Sequence, residues 1–122
     1  MSINELFEYK NWVVVGDVNN ETKYAYRILN ALKNEKYNVV GVNPRGNGEE
    51  SFISLKAVNY KIEVIDLCIN PKSGIEIMKE AHEMGIKNVL IQPGAGSEEI
   101  LNYCKENCIN AFEGCVLRQL GY

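Results

Sequence analysis

The residues best placed to do chemistry in this chain sit in four short polar turns, each closing an apolar run. Gly16-Asp17-Val18-Asn19 follows Trp12-Val13-Val14-Val15, and Asn43-Pro44-Arg45 follows Val39-Val40-Gly41-Val42. Asn70-Pro71 follows Val64-Ile65-Asp66-Leu67-Cys68-Ile69, and Gln92-Pro93-Gly94-Ala95-Gly96 follows Val89-Leu90-Ile91. Glycine in such a turn lets backbone N–H groups approach an anion, and Lys23 and Arg45 add placed cations. No residues pair as nucleophile and base, none cluster as metal ligands, and there is no Walker lysine. The chemistry expected is recognition of a phosphorylated small molecule, without catalysis.

The elements that must hold these turns follow from periodicity. After the first turn, Ala25, Ile28, Leu29 and Leu32 fall at i, i+3, i+4, i+7, one stripe of a helix. Strand, turn, helix, strand is the opening βαβ unit of a nucleotide-binding sheet. Residues 3–9 suit a short leading helix, Gly46 to Glu50 a loop, and Phe52-Ile53 with Leu55 a weakly periodic stretch. The run 64–69 reads as the third strand. Asn70 then suits a helix N-cap and Pro71 the first helical position. Ile77, Met78, Ala81 and Met84 carry that helix's apolar face, with Gly85 placed to end it. A fourth strand at 89–91, a helix from about Ser97 to Asn107 and a last strand near 110–112 complete the pattern. The expected fold is a Rossmann-like α/β domain spanning 1–122. Its doubly wound parallel sheet would have about five strands in order 3-2-1-4-5, with helices on both faces. Ligands in such sheets bind beyond the carboxyl ends of the strands, where the winding reverses.

Two positions weigh against the dinucleotide NAD. A G-x-G-x-x-G turn would need glycines where this chain has Val18 and Glu21. The acidic residue that accepts from a ribose 2′-OH is replaced by Asn43, an amide that a ribose phosphate would tolerate.

With 122 residues, 46% apolar and 24% charged, the composition is that of one ordinary globular domain. The net charge of −3 argues against nucleic acid as a partner. No apolar stretch nears the ~18 residues of a membrane span, and the first residues lack a secretory pattern, so a cytoplasmic location is expected. The four cysteines do not read as a disulfide framework. Cys104 and Cys108 fall in register with Ile100 and are expected in the core. Cys115, outside that pattern, is either a buried thiol or lies near the site mouth, where it could form a mixed disulfide with a thiol ligand. His82 is expected at the surface.

The order and spacing of several elements resemble the small stand-alone CoA-binding domain proteins. The same domain opens the α-subunit of succinyl-CoA synthetase and the NDP-forming acyl-CoA synthetases. The elements are V-V-G followed by small positions, Lys23-x-Ala25-Tyr26-Arg27, Tyr37-Asn38-Val39, Val42-Asn43-Pro44, Ser54-Leu55, Asn70-Pro71, Gln92-Pro93-Gly94 and Gly114-Cys115. The resemblance covers about Trp12 to Cys115. It implies coenzyme A as ligand, with Gly16, Asp17 and Val18 as the phosphate-facing turn and Lys23 near the diphosphate. It further implies Asn43 and Pro44 beside the adenosine and Arg45 as a partner of the 3′-phosphate. Ile69, Asn70 and Pro71 would wall the adenine, and Gln92 and Gly94 would close the pocket. Where the family commonly has Gly-Ala-Ser, this chain has Gly16-Asp17-Val18, which brings a carboxylate and no hydroxyl. Three functions stay open on the sequence. They are a binding module for CoA or acyl-CoA (carrier, sensor or accessory subunit), an NAD(H)-binding redox sensor or enzyme, and an interaction module with a degenerate pocket.

Overall fold

A computed structural model describes residues 1–46 and 51–122. The chain begins with a short helix α1 (Ile3–Leu6) and enters the sheet through β1 (Asn11–Gly16). Helix α2 (Tyr24–Asn34), strand β2 (Asn38–Val42) and a two-residue strand β3 (Ser51–Phe52) follow. After a 3-10 turn at Leu55–Ala57 come β4 (Val64–Cys68), α3 (Pro71–Glu83), β5 (Asn88–Ile91), α4 (Glu98–Glu106), β6 (Asn110–Glu113) and α5 (Val116–Leu120). All strand pairings are parallel, and the order is β3-β2-β1-β4-β5-β6.

The Rossmann-like α/β class is as the sequence predicts, with one strand more and one strand relocated. Ser51–Phe52 pairs Gly41 and Val42 at the outer edge of β2, so it takes the third place. The run read as the third strand is therefore β4, and it pairs β1 in register from Trp12↔Val64 to Gly16↔Cys68. Burial explains the exchange. Val64, Ile65, Asp66 and Leu67 are all buried, which requires sheet neighbours on both sides, whereas Ser51 and Phe52 are only partly covered. The loop expected at 46–50 lies, from residue 47 on, outside the described residues.

Strand alternation sends β1 into two cores. Val13 and Val15 pack with Ile65, Leu67, Val89 and Ile91 beneath Met78, Ala81 and Ile100 of α3 and α4. Trp12 and Val14 pack with Val39, Val64 and Leu90 beneath Ile28, Leu29 and Leu32 of α2 and Val116 and Leu117 of α5. Each of Val13, Val14 and Val15 is fully buried, which stabilises by about 1.5–3 kcal/mol per side chain. Trp12, also fully buried, sits among Phe7 and Tyr37 at centroid distances of 5.0 and 5.8 Å, and its indole N–H donates to Tyr9 O at 2.9 Å. This aromatic cluster ends α1 at Leu6, short of the expected residue 9, because Phe7 must turn inward onto Trp12.

The stripe Ala25, Ile28, Leu29 and Leu32 is buried as expected. Met84 departs from its expected place. It is the C-cap of α3 and lies 38% exposed, one step beyond the last residue facing the sheet. Gly85, with φ +74°, ends the helix. Among the described residues, no helix is long and apolar enough to cross a membrane.

Candidate functional site

The chain enters the sheet at its centre and winds outward first through α2 to β2, then through α3 and β5. The reversal lies between β1 and β4, and a cavity of about 300 Å³ opens there at the strand ends. Gly16 and Asp17 close β1, Lys23, Tyr24 and Ala25 begin α2, Asn43 and Arg45 follow β2, and Cys68, Ile69 and Asn70 end β4. The structure thus gathers Gly16, Asp17, Lys23, Asn43, Arg45, Ile69 and Asn70, all singled out from sequence. Val18, Pro44, Pro71, Gln92 and Gly94 do not line this cavity.

Gly16 is required by its neighbour strand. A Cβ there would stand 2.2 Å from the carbonyl oxygen of Cys68 and 3.2 Å from Ala25 Cβ. The glycine lets β1, β4 and the start of α2 converge, which creates the crevice. Val18 turns away from it. The side chain is 3% exposed and fills the space above Gly41, where a Cβ would lie 2.5 Å from Val18 Cγ2. Its N–H is engaged by Gly16 O at 2.9 Å. The hydroxyl that the family commonly has at this place would here point into the core, so Val18 removes no donor from the cavity.

The start of α2 adds positive potential to the site. Its N-cap, Lys23, makes no side-chain cap, and the first turn holds no acidic residue. The first N–H groups of an uncapped helix carry roughly half a positive charge. The exposed side chains of Lys23 and Arg45 flank it, and among the described residues Asp17 is the only carboxylate on the lining. The other long helices differ. In α3 the Asn70 side chain accepts from Ser73 N at 3.0 Å, and Pro71 occupies the first position, as the sequence predicts. In α4, Ser97 accepts from Ile100 N and Glu98 and Glu99 fill the first turn. Gly94, with φ +88°, belongs to the turn that leads there, with Ala95 N donating to Gln92 O at 2.9 Å.

Asn43 has a role that sequence reasoning missed. It is 1% exposed, and its Nδ2 donates to Asn19 Oδ1 at 3.0 Å and, at 3.5 Å, to Asp17 Oδ1. Its Oδ1 accepts from Arg45 N at 3.1 Å, and Ser51 Oγ donates to the same Asn19 oxygen. One amide therefore ties the turn after β1 to the turn after β2 and sets the position of Arg45.

A second cavity, of about 710 Å³, adjoins the first on the α5 side. Tyr24 and Cys68 line both, and Gln92, Cys115, Arg118 and Gln119 are among the further walls of the second. Tyr24 is 63% exposed between them, a large ring left largely uncovered. Behind this wall lies Asp66, wholly buried in β4. Alternation from Val64 and Leu90 turns Asp66 and Gln92 toward the α2 layer, where Gln92 Nε2 donates to Asp66 Oδ1. Asp66 Oδ2 has no partner among the described residues. Loss of water outweighs the Gln92 hydrogen bond and pushes the carboxyl up to about 8. Burial, then Asp66, then Cys115, push the Cys68 thiol up to about 12. The one hint of Asp66 in the sequence is a carboxylate inside an otherwise apolar run.

Cys115, half-buried, lies at the second cavity, the nearer-mouth alternative of the sequence reading. Cys104 is buried as expected, but Cys108 is exposed. Helix α4 ends at Glu106 and Cys108 follows its cap with φ +56°, which takes the side chain off the helical face. His82 is exposed, edge-on to Tyr103 at 6.3 Å.

Residues 10–120 match the model of a family described as a CoA binding domain. A conserved hypothetical protein from Pyrococcus furiosus has a similar structure, with 30% identity and a TM-score of 0.82 over 91% of this chain and 99% of that one. A hypothetical protein from Pyrococcus horikoshii is 26% identical, with a TM-score of 0.86 over 97% of this chain and 89% of that one. A Thermus thermophilus structure, 22% identical with a TM-score of 0.82 over 99% of this chain and 97% of that one, shares the fold. No curated protein matches the chain.

Proposed function

The chain belongs to the CoA-binding domain family, and on that premise we propose that it binds coenzyme A or an acyl-CoA at the strand-end cavity without transforming it. The observation that carries this reading is the uncapped start of α2, opening between Lys23 and Arg45 at the β1–β4 reversal. A nucleotide diphosphate laid on the first N–H groups of α2 meets the helix's positive end and the Lys23 ammonium. Arg45, held by Asn43, is then placed for the phosphate on the ribose, and Ile69 and Asn70 supply a wall for the base. The cavity residues offer donors and cations for holding a polyanion, and a role as carrier, sensor or accessory subunit in a reducing compartment such as the cytoplasm fits that inventory.

Thermal unfolding in the presence of CoA, acetyl-CoA and NAD tests the reading. At about 100 times Kd, CoA should stabilise by roughly 2.7 kcal/mol, a rise of about 10 °C for a domain of this size. An equal rise with NAD, or a rise with NAD alone, would overturn it.

A further inference from the structure

The two cavities adjoin, with Tyr24 and Cys68 as walls of both. The smaller part has Lys23 and Arg45 on its walls, and the larger has Arg118 and two of the four cysteines, Cys68 and Cys115. A ligand held by its phosphates in the first part, with a flexible arm ending in sulfur, would deliver that sulfur past Tyr24 to the thiols. We propose that the second cavity is a thiol-exchange site, where Cys115 reacts with the disulfide form of the ligand bound in the first cavity and retains the ligand as a mixed disulfide. This rests on the CoA reading above.

The step balances without a further oxidant. Cys115 loses its proton to solvent, and its sulfur attacks one sulfur of the ligand disulfide. The Cys115–S bond forms as the ligand S–S bond breaks. The electron pair departs on the other half, which leaves as a thiolate and takes up a proton. Cys115 is oxidised and the departing half reduced. The exposed rim at Glu113, Arg118 and Gln119 leaves an exit for that half. Cys68 is a poor second attacker, because its thiol, pushed up to about 12, yields little thiolate. The mixed disulfide therefore persists instead of collapsing to a bond between the two cysteines.

The experiment treats the full chain with CoA disulfide or with glutathione disulfide at equal concentration, and follows intact mass and modified peptides over time. A tethered group works at an effective concentration on the order of millimolar, so at about 0.1 mM reagent CoA disulfide should modify Cys115 about tenfold faster. Adenosine 3′,5′-bisphosphate, which lacks the thiol arm, should bring that rate down to the glutathione level. Cys115→Ser should abolish the adduct, and Cys108→Ser should leave it unchanged. Equal rates for the two disulfides, modification at Cys108 instead, or a Cys68–Cys115 disulfide as the product would each overturn the proposal. If CoA raises the unfolding temperature but Cys115 is not selectively modified, the exchange site fails and the CoA reading stands. If neither occurs, both fail.

Discussion

Asp66→Asn should change how the stability of this protein depends on pH. In the folded chain the Asp66 carboxyl, wholly buried with one oxygen unpartnered, keeps its proton up to about 8, against an ordinary value of 3.8. The unfolded chain releases the proton near that ordinary value, so between about pH 4 and pH 8 the folded state binds more protons. Stability contributed by the protonated carboxyl is complete below the unfolded value, falls as pH rises through this window, and levels off above the folded value. At 1.36 kcal/mol per pH unit the full effect is roughly 6 kcal/mol, of which about 4 develops between pH 5 and pH 8. That is a large share of the 5–15 kcal/mol typical of a domain. The variant amide never ionises, still accepts from Gln92 Nε2, and leaves one polar atom unpartnered, as the native side chain does. Urea denaturation of both proteins at pH 5, 6, 7 and 8 isolates Asp66, because every other titration cancels in the difference. The variant should gain about 4 kcal/mol on the native protein across that range. A difference that stays constant with pH would refute the reasoning, and would mean that water reaches the carboxyl.

Asn43→Asp should lower stability by about 2–3 kcal/mol, measured by the same denaturation. It removes the donor to Asn19 and sets a carboxylate against Asp17, now at 3.5 Å from the amide. Asp17→Ser should tighten CoA binding about three- to tenfold by calorimetry at low salt, since it removes a carboxylate from the cavity lining, with the gain shrinking as salt is raised. Tyr24→Ala should weaken CoA binding by about 1 kcal/mol or more while changing the unfolding free energy by less than about 0.5 kcal/mol, because the ring is 63% exposed in the free chain.

The features legible in the sequence were those written in consecutive residues. The β1 run, the α2 stripe and the Asn70-Pro71 start of α3 each declare themselves within a few positions, and their order implies where the strand ends meet. What escaped depends on partners far along the chain. Ser51–Phe52 has no alternation of its own and is a strand only because β2 offers an edge, so a count from sequence puts the run at 64–69 one place early. The resemblance puts Val18 in the phosphate-facing turn, but the void above Gly41, more than twenty positions away, takes its side chain. The sequence sets Asn43 beside a ribose, whereas its amide is engaged by Asn19, Asp17 and Arg45. The second cavity draws its walls from α1, α2, the ends of β4 and β6, the turn after β5, and α5, elements that no local pattern joins.

The placement of Trp12 has a spectroscopic consequence. It is the only tryptophan, wholly buried near the start of β1, while the cavity begins at Gly16, about 13 Å along the strand at ~3.3 Å per residue. Its emission therefore reports the Phe7–Trp12–Tyr37 packing and is blind to what occupies the strand ends. A fluorescence trace of this protein follows the unfolding of the α2-side core, with ligands entering it only through the shift of the midpoint.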